Sequence, residues 1–527
     1  MEWRSQNQDG QESHWRKRNS SCKQDMPDAT NIHSGAGSSS PSEAIQAENA
    51  RLQALIDHPP QEILTLSDFH LGCGRNPSTG RFSRTENFLS DQAFSRLLTY
   101  SKAGAEKLLF INGDTFDFAR IFRCPSLQED FQEWSAFLQQ LGVMKDAAEL
   151  QKTVSRREKR FGLETDDYKS AWKLLQIANG HREFFVALAN WINAGGLLLL
   201  SKGNHDLELY WPLVRKAFGV LMQREGARED AVRTQVFYCD DSLRIGNIYF
   251  EHGHRYDPEQ RIEGGPVMAT NPDKLSLPLG IFVNRYLINQ LEKLEPFLGS
   301  VRPTERILWM LLRRHPIAAM AILFRSLRFI RRAFQTSRIR DFFWYAVYIG
   351  SIAVPLVTAL AIVIVGIFVF AHGPGQFLVK HQRLLTVLSV LGMFAPYLAA
   401  AFRELVRRLQ RKREPQVGED GMAAGVYKTI HDLKFPPARQ IYAVMGHTHD
   451  QDVQRLPDIN GVKVLYLNTG TWIPVWPDDR PDLNGQVLFP FVSFRRGQDG
   501  EYHHQYLEWR DDRGGPAKSY ILEPPEN

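Results

Sequence analysis

The sequence Leu-Leu-Leu-Leu-Ser-Lys-Gly-Asn-His-Asp, at positions 197–206, decides the fold class of this chain. Four consecutive leucines predict a buried strand, because the run is too short for a helix that crosses a membrane. Gly203 allows the chain to turn tightly where the strand ends. The turn then presents an amide oxygen, an imidazole and a carboxylate, on Asn204, His205 and Asp206. One such turn alone is weak evidence for a functional site.

Four other segments have the same form, a short apolar strand followed by side chains that can bind a metal ion. They end in Asp68-Phe69-His70, in Gly113-Asp114 with Asp117 beyond it, in His252-Gly253-His254, and in Gly446-His447-Thr448-His449. Open α/β sheets hold their active sites at the carboxyl ends of the strands. The sequence therefore predicts an α/β fold in which five strand ends build one site.

The order of these motifs resembles that of the calcineurin-like metallophosphoesterase superfamily: Asp-x-His, Gly-Asp-x-x-Asp, Gly-Asn-His-Asp, His and Gly-His-x-His. The segment 468–472, Asn-Thr-Gly-Thr-Trp, also resembles the closing segment of that superfamily. The resemblance implies a two-sheet α/β/β/α sandwich. It further implies an enzyme that hydrolyses a phosphomonoester, phosphodiester or pyrophosphate bond through a metal-activated water.

The same resemblance implies two divalent metal ions and assigns their ligands. It places Asp68, His70 and His449 on the first ion, Asn204, His252 and His447 on the second, and Asp114 as a bridge between them. Two such ions would clamp the phosphoryl oxygens and acidify a water molecule. Nitrogen and oxygen ligands without a thiolate suit manganese, iron or zinc, and the sequence does not choose among them.

Four further residues are assigned to positions around the ligands. His205 would be the general acid that protonates the leaving-group oxygen, or would stabilise charge on the phosphoryl group, and Asp206 would orient its ring. Asp117 and His254 would lie behind the metal ligands and support them. The competing interpretation of Asp117 and Asp206 is capping or turn formation, and that of His254 is a locally satisfied side chain. The sequence predicts no particular substrate-binding residue.

Composition and termini exclude several other classes of protein. Lys and Arg number 64 against 59 Asp and Glu, a balance too even to predict a nucleic-acid partner. The four cysteines form no Cys-x-x-Cys pair, which argues against a zinc ribbon or a disulfide framework. Segment 1–45 is polar and poor in aliphatic residues, so we predict that it is disordered. A short helix is expected to start near Pro41 and to lead into the first strand.

The motifs and composition divide the rest of the chain. The catalytic domain is predicted in two parts, 60–257 and 426–514, with a helical insertion at 258–425 and an irregular tail at 515–527. Phe94, Leu97 and Leu98 recur on one helical face between the first two motifs, which predicts a βαβ unit. The β runs 487–494 and 502–509 are expected to complete the second sheet.

Two runs in the insertion suggest a membrane hairpin. Segment 342–371 is 30 residues without one charge, and segment 384–402 is 19 residues without one. Because a bilayer core needs about 20 apolar residues, both are predicted to be transmembrane helices, and the competing interpretation is two buried helices of a soluble insertion. Arginines are frequent in 302–340 and again in 403–413, which predicts cytoplasmic flanks. The expected localisation is a multi-pass membrane protein with two spans and a cytoplasmic catalytic domain.

The predicted partners are membrane lipids and a phosphoester substrate, with a lipid-linked one as a specific expectation and no nucleic acid. The insertion resembles the lid of UDP-2,3-diacylglucosamine hydrolases, which act on a lipid A precursor. Those enzymes typically have Gly-Asn-Arg-Asp where this chain has His205, His-Gly-Asp where it has His254, and no two-span hairpin. Two alternatives remain open at this point, a serine/threonine-type protein phosphatase and a non-catalytic membrane scaffold on the same fold.

Overall fold

The computed structural model describes residues 41–76, 79–262, 264–300, parts of 310–326, 421–433, 435–476 and 480–519. The chain divides into two units, Met1–Ala50 and Arg51–Asn527. The expected helix near Pro41 is confirmed, and it is α1, Pro41–Asp57. Residues 41–45, predicted to be disordered, belong to this helix, whereas the rest of that predicted segment lies outside the described residues.

Strands of two mixed sheets form the centre of the second unit. Within the described residues the strands are β1 (Glu62–Leu66), β2 (Lys107–Asn112), β3 (Leu197–Ser201), β4 (Val236–Cys239), β5 (Ser242–Ile245), β6 (Ile248–Glu251), β7 (Val267–Met268), β8 (Asn271–Leu275), β9 (Gln440–Met445), β10 (Gln451–Ile459), β11 (Val462–Thr469), β12 (Pro490–Arg496), β13 (Tyr502–Arg510) and β14 (Gly515–Lys518). The first sheet has the order β14-β13-β12-β1-β2-β3-β4, and the second has the order β10-β11-β9-β6-β5. Strands β7 and β8 form a separate hairpin.

Each large sheet has a parallel centre with antiparallel strands beside it. In the first sheet β1 to β4 are parallel, and in the second β6, β9 and β11 are parallel. The five motifs follow β1, β2, β3, β6 and β9, so all of them leave carboxyl ends of parallel strands. This arrangement confirms the predicted α/β class.

Helices cover the outer faces of both sheets. The described helices are α1, α2 (Asp91–Ser101), α3 (Gln128–Gln140), α4 (Ala147–Thr153), α5 (Glu158–Phe161), α6 (Asp167–Gly180), α7 (Arg182–Asn193), α8 (Pro212–Arg224), α9 (Glu229–Gln235), α10 (Leu279–Val283), α11 (Asn289–Glu292) and α12 (Gly421–His431), with a π-helical turn at Asn284–Ile288 between α10 and α11. Helix α2 buries Phe94, Leu97 and Leu98, as their spacing predicts. Helix α12 packs on the second sheet.

Alternating side chains of the strands build three hydrophobic layers. Ile63 of β1 joins a cluster that lies between the two sheets and includes Phe250 and Val444. Its neighbours Leu64 and Leu66 point the other way, into the cluster shared with the helices. This alternation follows from the two-residue period of a strand. Burying one such side chain fully contributes about 1.5–3 kcal/mol, so the sandwich holds the strand ends firmly in place.

The strands at the end of the chain pair differently from the prediction. Strands β12 and β13 extend the first sheet beside β1, not the second sheet. The predicted irregular tail also begins with a strand, because β14 pairs with β13 from Gly515 to Lys518. The first difference comes from the pairing of β12 with β1, which are far apart in the chain, and local sequence patterns do not report such a pairing.

The described part of the insertion is joined to the two-sheet domain by buried polar contacts. Arg285, only 4% exposed, donates hydrogen bonds to the carbonyls of Gly162 and Leu163, both at 2.7 Å. Asn289 donates to the carbonyl of Ala119 at 3.0 Å. Because buried donors and acceptors are costly to leave unpaired, these contacts fix the segment against the domain. The segment around Arg285 and Asn289 is therefore docked on the two-sheet domain.

The predicted membrane hairpin requires a correction. A helix must contain about 20 mostly apolar residues to cross a bilayer. Among the residues that the structure describes, no helix combines that length with that hydropathy. For the described part of the chain, the predicted localisation as a two-span membrane protein with a cytoplasmic catalytic domain is therefore wrong. The segments 342–371 and 384–402, on which it depended, lie outside the described residues.

Candidate metal centre

The first group of predicted ligands lies at the ends of β1 and β9. The Nε2 atoms of His70 and His449 are 2.8 Å apart, and Asp68 Oδ1 lies 3.7 Å from the first and 3.4 Å from the second. Asp68 and His70 are buried, while the side chain of His449 is 27% exposed. The three donor atoms therefore converge on one small volume that is open on the side of His449.

The second group brings Asn204, His252 and His447 together. The amide oxygen of Asn204 lies 3.2 Å from His252 Nε2 and 3.0 Å from His447 Nδ1. The opposite nitrogen of each ring already has an acceptor: His252 Nδ1 donates to the carbonyl of Asn112 at 2.9 Å, and His447 Nε2 donates to Asp257 at 3.1 Å. In the neutral rings the nitrogens that face Asn204 then carry lone pairs and no proton. Three lone pairs that face one another fit a cation between them.

Asp114 connects the two groups. Its Oδ2 lies 3.2 Å from His252 Nε2 and 3.6 Å from His70 Nε2, so one carboxylate contacts a ring of each group. Its Oδ1 accepts a hydrogen bond from the backbone N–H of His205 at 2.8 Å. Asp68, His70 and His449 form one set of possible metal ligands, and Asp114, His252 and His447 form another. Both sets can hold a metal ion.

The backbone at the ligands is strained. Five of the seven predicted ligands have positive φ angles, namely Asp68 (55°), His70 (52°), Asp114 (52°), His447 (73°) and His449 (68°). Residues other than glycine rarely adopt this conformation, which costs of order 1–3 kcal/mol each and clusters at functional sites. The strain turns each side chain from the end of its strand toward the common centre.

Glycines allow the ligand loops to approach one another. A Cβ at Gly203 would collide with the carboxylate of Asp114, and a Cβ at Gly113 would collide with the ring of His252. A Cβ at Gly446 would likewise meet the carboxylate of Asp68. The glycines of the Gly-Asp, Gly-Asn and Gly-His motifs are therefore required by close packing of the loops.

The buried carboxylates favour positive charge in the centre, either as a metal ion between neutral rings or as a proton on a ring. Burial lowers the pKa of His252, but Asp114 and Asp68 oppose it and raise that pKa to about 9. Burial also lowers the pKa of His70, and hydrogen bonds to Asp117 and Asp68 raise it to about 10. In the opposite direction, burial raises the pKa of Asp68, yet the charge of His252 holds it well below its usual range. Buried carboxylates of this kind need a cation beside them.

His205 lies beside the first ligand group, and its ring is held by Asp117. Its Nδ1 donates to Asp117 Oδ2 at 2.9 Å, and its ring centroid is 4.5 Å from that of His70. Asp206, which was expected to orient His205, instead accepts hydrogen bonds from the backbone of Thr115 at 2.8 Å and Gly203 at 2.6 Å. Its fully buried carboxylate ties the loop after β2 to the loop after β3 and does not contact the ring of His205.

His254 lies next to the second ligand group without entering it. Its ring centroid is 5.6 Å from that of His252 and 6.5 Å from that of His447. Burial, together with the electrostatic effect of the nearby His252 and His447, lowers the pKa of His254 to about 3. Its Nδ1 is buried and has no hydrogen-bond partner among the described residues. The neutral ring therefore closes one side of the centre.

The closing segment 468–472 supports the ligand loops from the second sheet. Asn468 donates from its amide to the carbonyl of Gly446 at 2.7 Å, and the hydroxyl of Thr471 donates to the carbonyl of Asp68 at 2.6 Å. These bonds hold the loops after β9 and β1, which carry four of the predicted ligands. The segment that resembles a closing motif therefore has a physical role, because it holds the two ligand loops in place.

Two residues of the centre were missed by the sequence analysis. Asp257 accepts from His447 Nε2 at 3.1 Å, and the side-chain oxygen of Gln260 accepts from the amide of Asn204 at 3.2 Å. The first fixes which nitrogen of His447 faces the centre, and the second fixes which end of the Asn204 amide does. Both lie in the loop that follows the fourth motif, where no spacing or composition marks them.

The hydrogen bond between His447 Nε2 and Asp257 leads to a testable prediction. Asp257→Asn should lower metal affinity by roughly 10–100-fold, the usual cost of losing an outer partner of a ligating histidine. The measurement is a metal titration by calorimetry on metal-stripped protein. Glu259→Gln is the matched control, since it removes a carboxylate from the same loop without a contact to His447. Unchanged affinity in Asp257→Asn would show that this contact does not tune the ligand.

Two comparisons with known proteins find no relative of this chain. A scan against protein-family models finds no match to the chain, and a search of curated proteins finds none either. Any statement about function therefore depends on the motifs and on the geometry they adopt. That geometry is a pair of nitrogen- and oxygen-donor groups, at the carboxyl ends of parallel strands, joined by Asp114.

Proposed function

We propose that this protein is a metal-dependent hydrolase of phosphoester or pyrophosphate bonds, related in fold and site to the calcineurin-like metallophosphoesterases. The observation that carries the proposal is the contact of one carboxylate, Asp114, with rings of two separate ligand groups. A shared carboxylate between nitrogen and oxygen donors is the arrangement that a two-metal phosphoesterase needs. The two packed sheets with outer helices agree with the sandwich expected for that superfamily.

The residues fit two divalent cations such as manganese, iron or zinc. Asp68, His70 and His449 would hold the first, Asn204, His252 and His447 the second, and Asp114 would reach both. When bound, such a pair supplies a positive clamp for phosphoryl oxygens and a water molecule that ionises near neutral pH. Asp257 and Gln260 would keep the donor atoms of the second group facing inward.

In this proposal His205 acts on the leaving group. Its Nδ1 is engaged by Asp117, which leaves Nε2 as the nitrogen available to substrate. As the bond from phosphorus to the leaving oxygen breaks, the protonated ring donates its Nε2 proton to that oxygen. Asp117 keeps the ring in one orientation throughout, because its carboxylate is buried and cannot rotate freely into solvent.

The proposal is tested by metal reconstitution. Protein stripped with a chelator should not hydrolyse a panel of phosphomonoesters, phosphodiesters and pyrophosphates, and Mn²⁺ should be among the ions that restore hydrolysis. Activity should saturate at two ions per chain, measured by elemental analysis of the reconstituted protein. The panel identifies the bond that is cleaved. Hydrolysis that survives complete removal of metal, or full activity with a single ion, would contradict the proposal.

A further inference from the structure

A line of buried charged side chains runs from His205 away from the centre. Asp117 Oδ2 accepts from His205 Nδ1 at 2.9 Å and from Arg120 Nε at 2.8 Å. The other end of the Arg120 guanidinium pairs with the carboxylate of Glu292. Asp117 is 1% exposed, Arg120 7% and Glu292 0%, so the whole line is shielded from water.

Glu292 comes from the insertion, not from the motif-bearing part of the chain. It is the last residue of α11, and 172 positions separate it from Arg120. Its other carboxylate oxygen accepts from the backbone N–H of Gly299 at 2.9 Å. The preceding Asn289 anchors the same helix to the carbonyl of Ala119, next to Arg120. The helix is thus fixed on both sides of the ion pair.

Asp117 depends on Arg120 for its orientation. Its Oδ1 is buried and has no hydrogen-bond partner among the described residues. Among the described residues the carboxylate is therefore held through Oδ2, where Arg120 and His205 both donate and His70 Nδ1 lies 3.6 Å away. Without Glu292, the buried Arg120 cation would lose one of its two carboxylate partners, and a buried charge that loses a partner reorganises or draws in water. A change at Glu292 would then reach the ring of His205 through two intervening residues, Arg120 and Asp117.

We propose that Glu292 is a positioning residue for His205, acting through Arg120 and Asp117. On this basis α11 of the insertion belongs to the catalytic apparatus, although it supplies no ligand and does not contact His205. The kinetic part of this inference rests on the proposed function. The orientation of His205 can change the rate for poor leaving groups only if His205 is a general acid. The contacts from Glu292 through Arg120 and Asp117 to His205 can also be tested by a measurement that does not depend on enzymatic activity.

The kinetic test compares Glu292→Gln with Glu295→Gln. Glu295 is the matched control, since it lies in the same segment and pairs with Arg314, whose side chain is 60% exposed. Glu292→Gln should slow hydrolysis of an alkyl phosphate ester by about 10–100-fold, the range for an outer contact, and should hardly affect the 4-nitrophenyl ester, whose leaving group needs no acid. Metal content should not change. In His205→Asn protein, Glu292→Gln should cause no further loss, because both changes remove one function.

Several outcomes would overturn the inference. Equal slowing of both esters, losses that multiply in the double variant, or wild-type kinetics in Glu292→Gln would each show that Glu292 does not act through His205. If Glu292→Gln does not fold, Glu292→Asp keeps the charge, shortens the side chain by one methylene and should show the same selective loss. Full activity of Glu292→Asp on both esters would also count against the inference.

The second readout separates this inference from the proposed function. In protein with ¹⁵N-labelled histidine, the ring signal of His205 is identified by its loss in His205→Asn. That signal should shift in Glu292→Gln and stay in place in Glu295→Gln. An unshifted signal refutes the link whether or not the protein is a hydrolase. A shifted signal in a protein without metal-dependent hydrolysis would refute the proposed function and leave the link standing.

Discussion

Asp114→Ala is expected to lose both metal ions and nearly all hydrolysis. The carboxylate contacts His252 Nε2 at 3.2 Å and His70 Nε2 at 3.6 Å, so its removal takes a negative ligand from both groups at once. The loss of turnover should exceed the roughly 10–100-fold that follows removal of an outer contact. Metal content per chain and kcat/KM, measured on the same preparation, check the expectation.

Two further variants make this result interpretable. Asp114→Asn suits the left-handed backbone at this position, φ 52°, better than alanine, and so separates loss of charge from misfolding. Asp130→Ala removes a carboxylate that caps helix α3 through the N–H groups of Ser126 and Leu127 and pairs with Arg123, and this variant should keep both ions. Wild-type turnover and two bound ions in Asp114→Ala would refute the assignment of the bridging ligand.

His205→Asn is expected to show the second large effect, and a selective one. Removing a positioned general acid costs about 10²–10⁴-fold when the leaving group needs protonation. Alkyl phosphate esters should therefore slow by that factor, whereas 4-nitrophenyl esters, which leave as stable anions, should slow much less. Steady-state rates on the two esters, with metal content measured in parallel, test the difference.

The control for this variant is His431→Asn, which changes an exposed histidine on α12 and should leave both rates unaltered. A His205→Asn protein that slows both esters equally, with its metals retained, would mean that His205 binds the phosphoryl group and does not protonate the leaving oxygen. Loss of metal in that variant would instead make His205 a ligand, which its closeness to His70 and Asp114 permits.

The positions of the ligand motifs were predictable because their signal is local. A short apolar run followed by a tight turn specifies both a strand and the side chains at its end, as at Leu197–Ser201 and Gln440–Met445. Five such turns then meet because parallel strands present their carboxyl ends at one edge. The fold class and the neighbourhood of the site follow from this pattern without any long-range information.

The contacts that the sequence did not reveal are those between distant segments. The pairing of Arg120 with Glu292 spans 172 positions, and that of His447 with Asp257 spans 190. Glu292 and Asp257 stand in no motif, so no spacing in the sequence identifies them as partners. The role of Asp206 was misjudged for a related reason: its sequence position beside His205 says nothing about which backbone N–H groups its buried carboxylate will meet.

Left-handed backbone at five of the predicted ligands has a consequence for moving this site into another protein. At about 1–3 kcal/mol each, the five conformations together store about 5–15 kcal/mol, comparable with the whole net stability of a typical domain. Short peptides that carry the motifs would relax to ordinary backbone and lose the geometry. A graft onto a small scaffold would meet the same difficulty. The ligand geometry is therefore a property of the two packed sheets, and the motifs transfer only together with the sandwich that strains them.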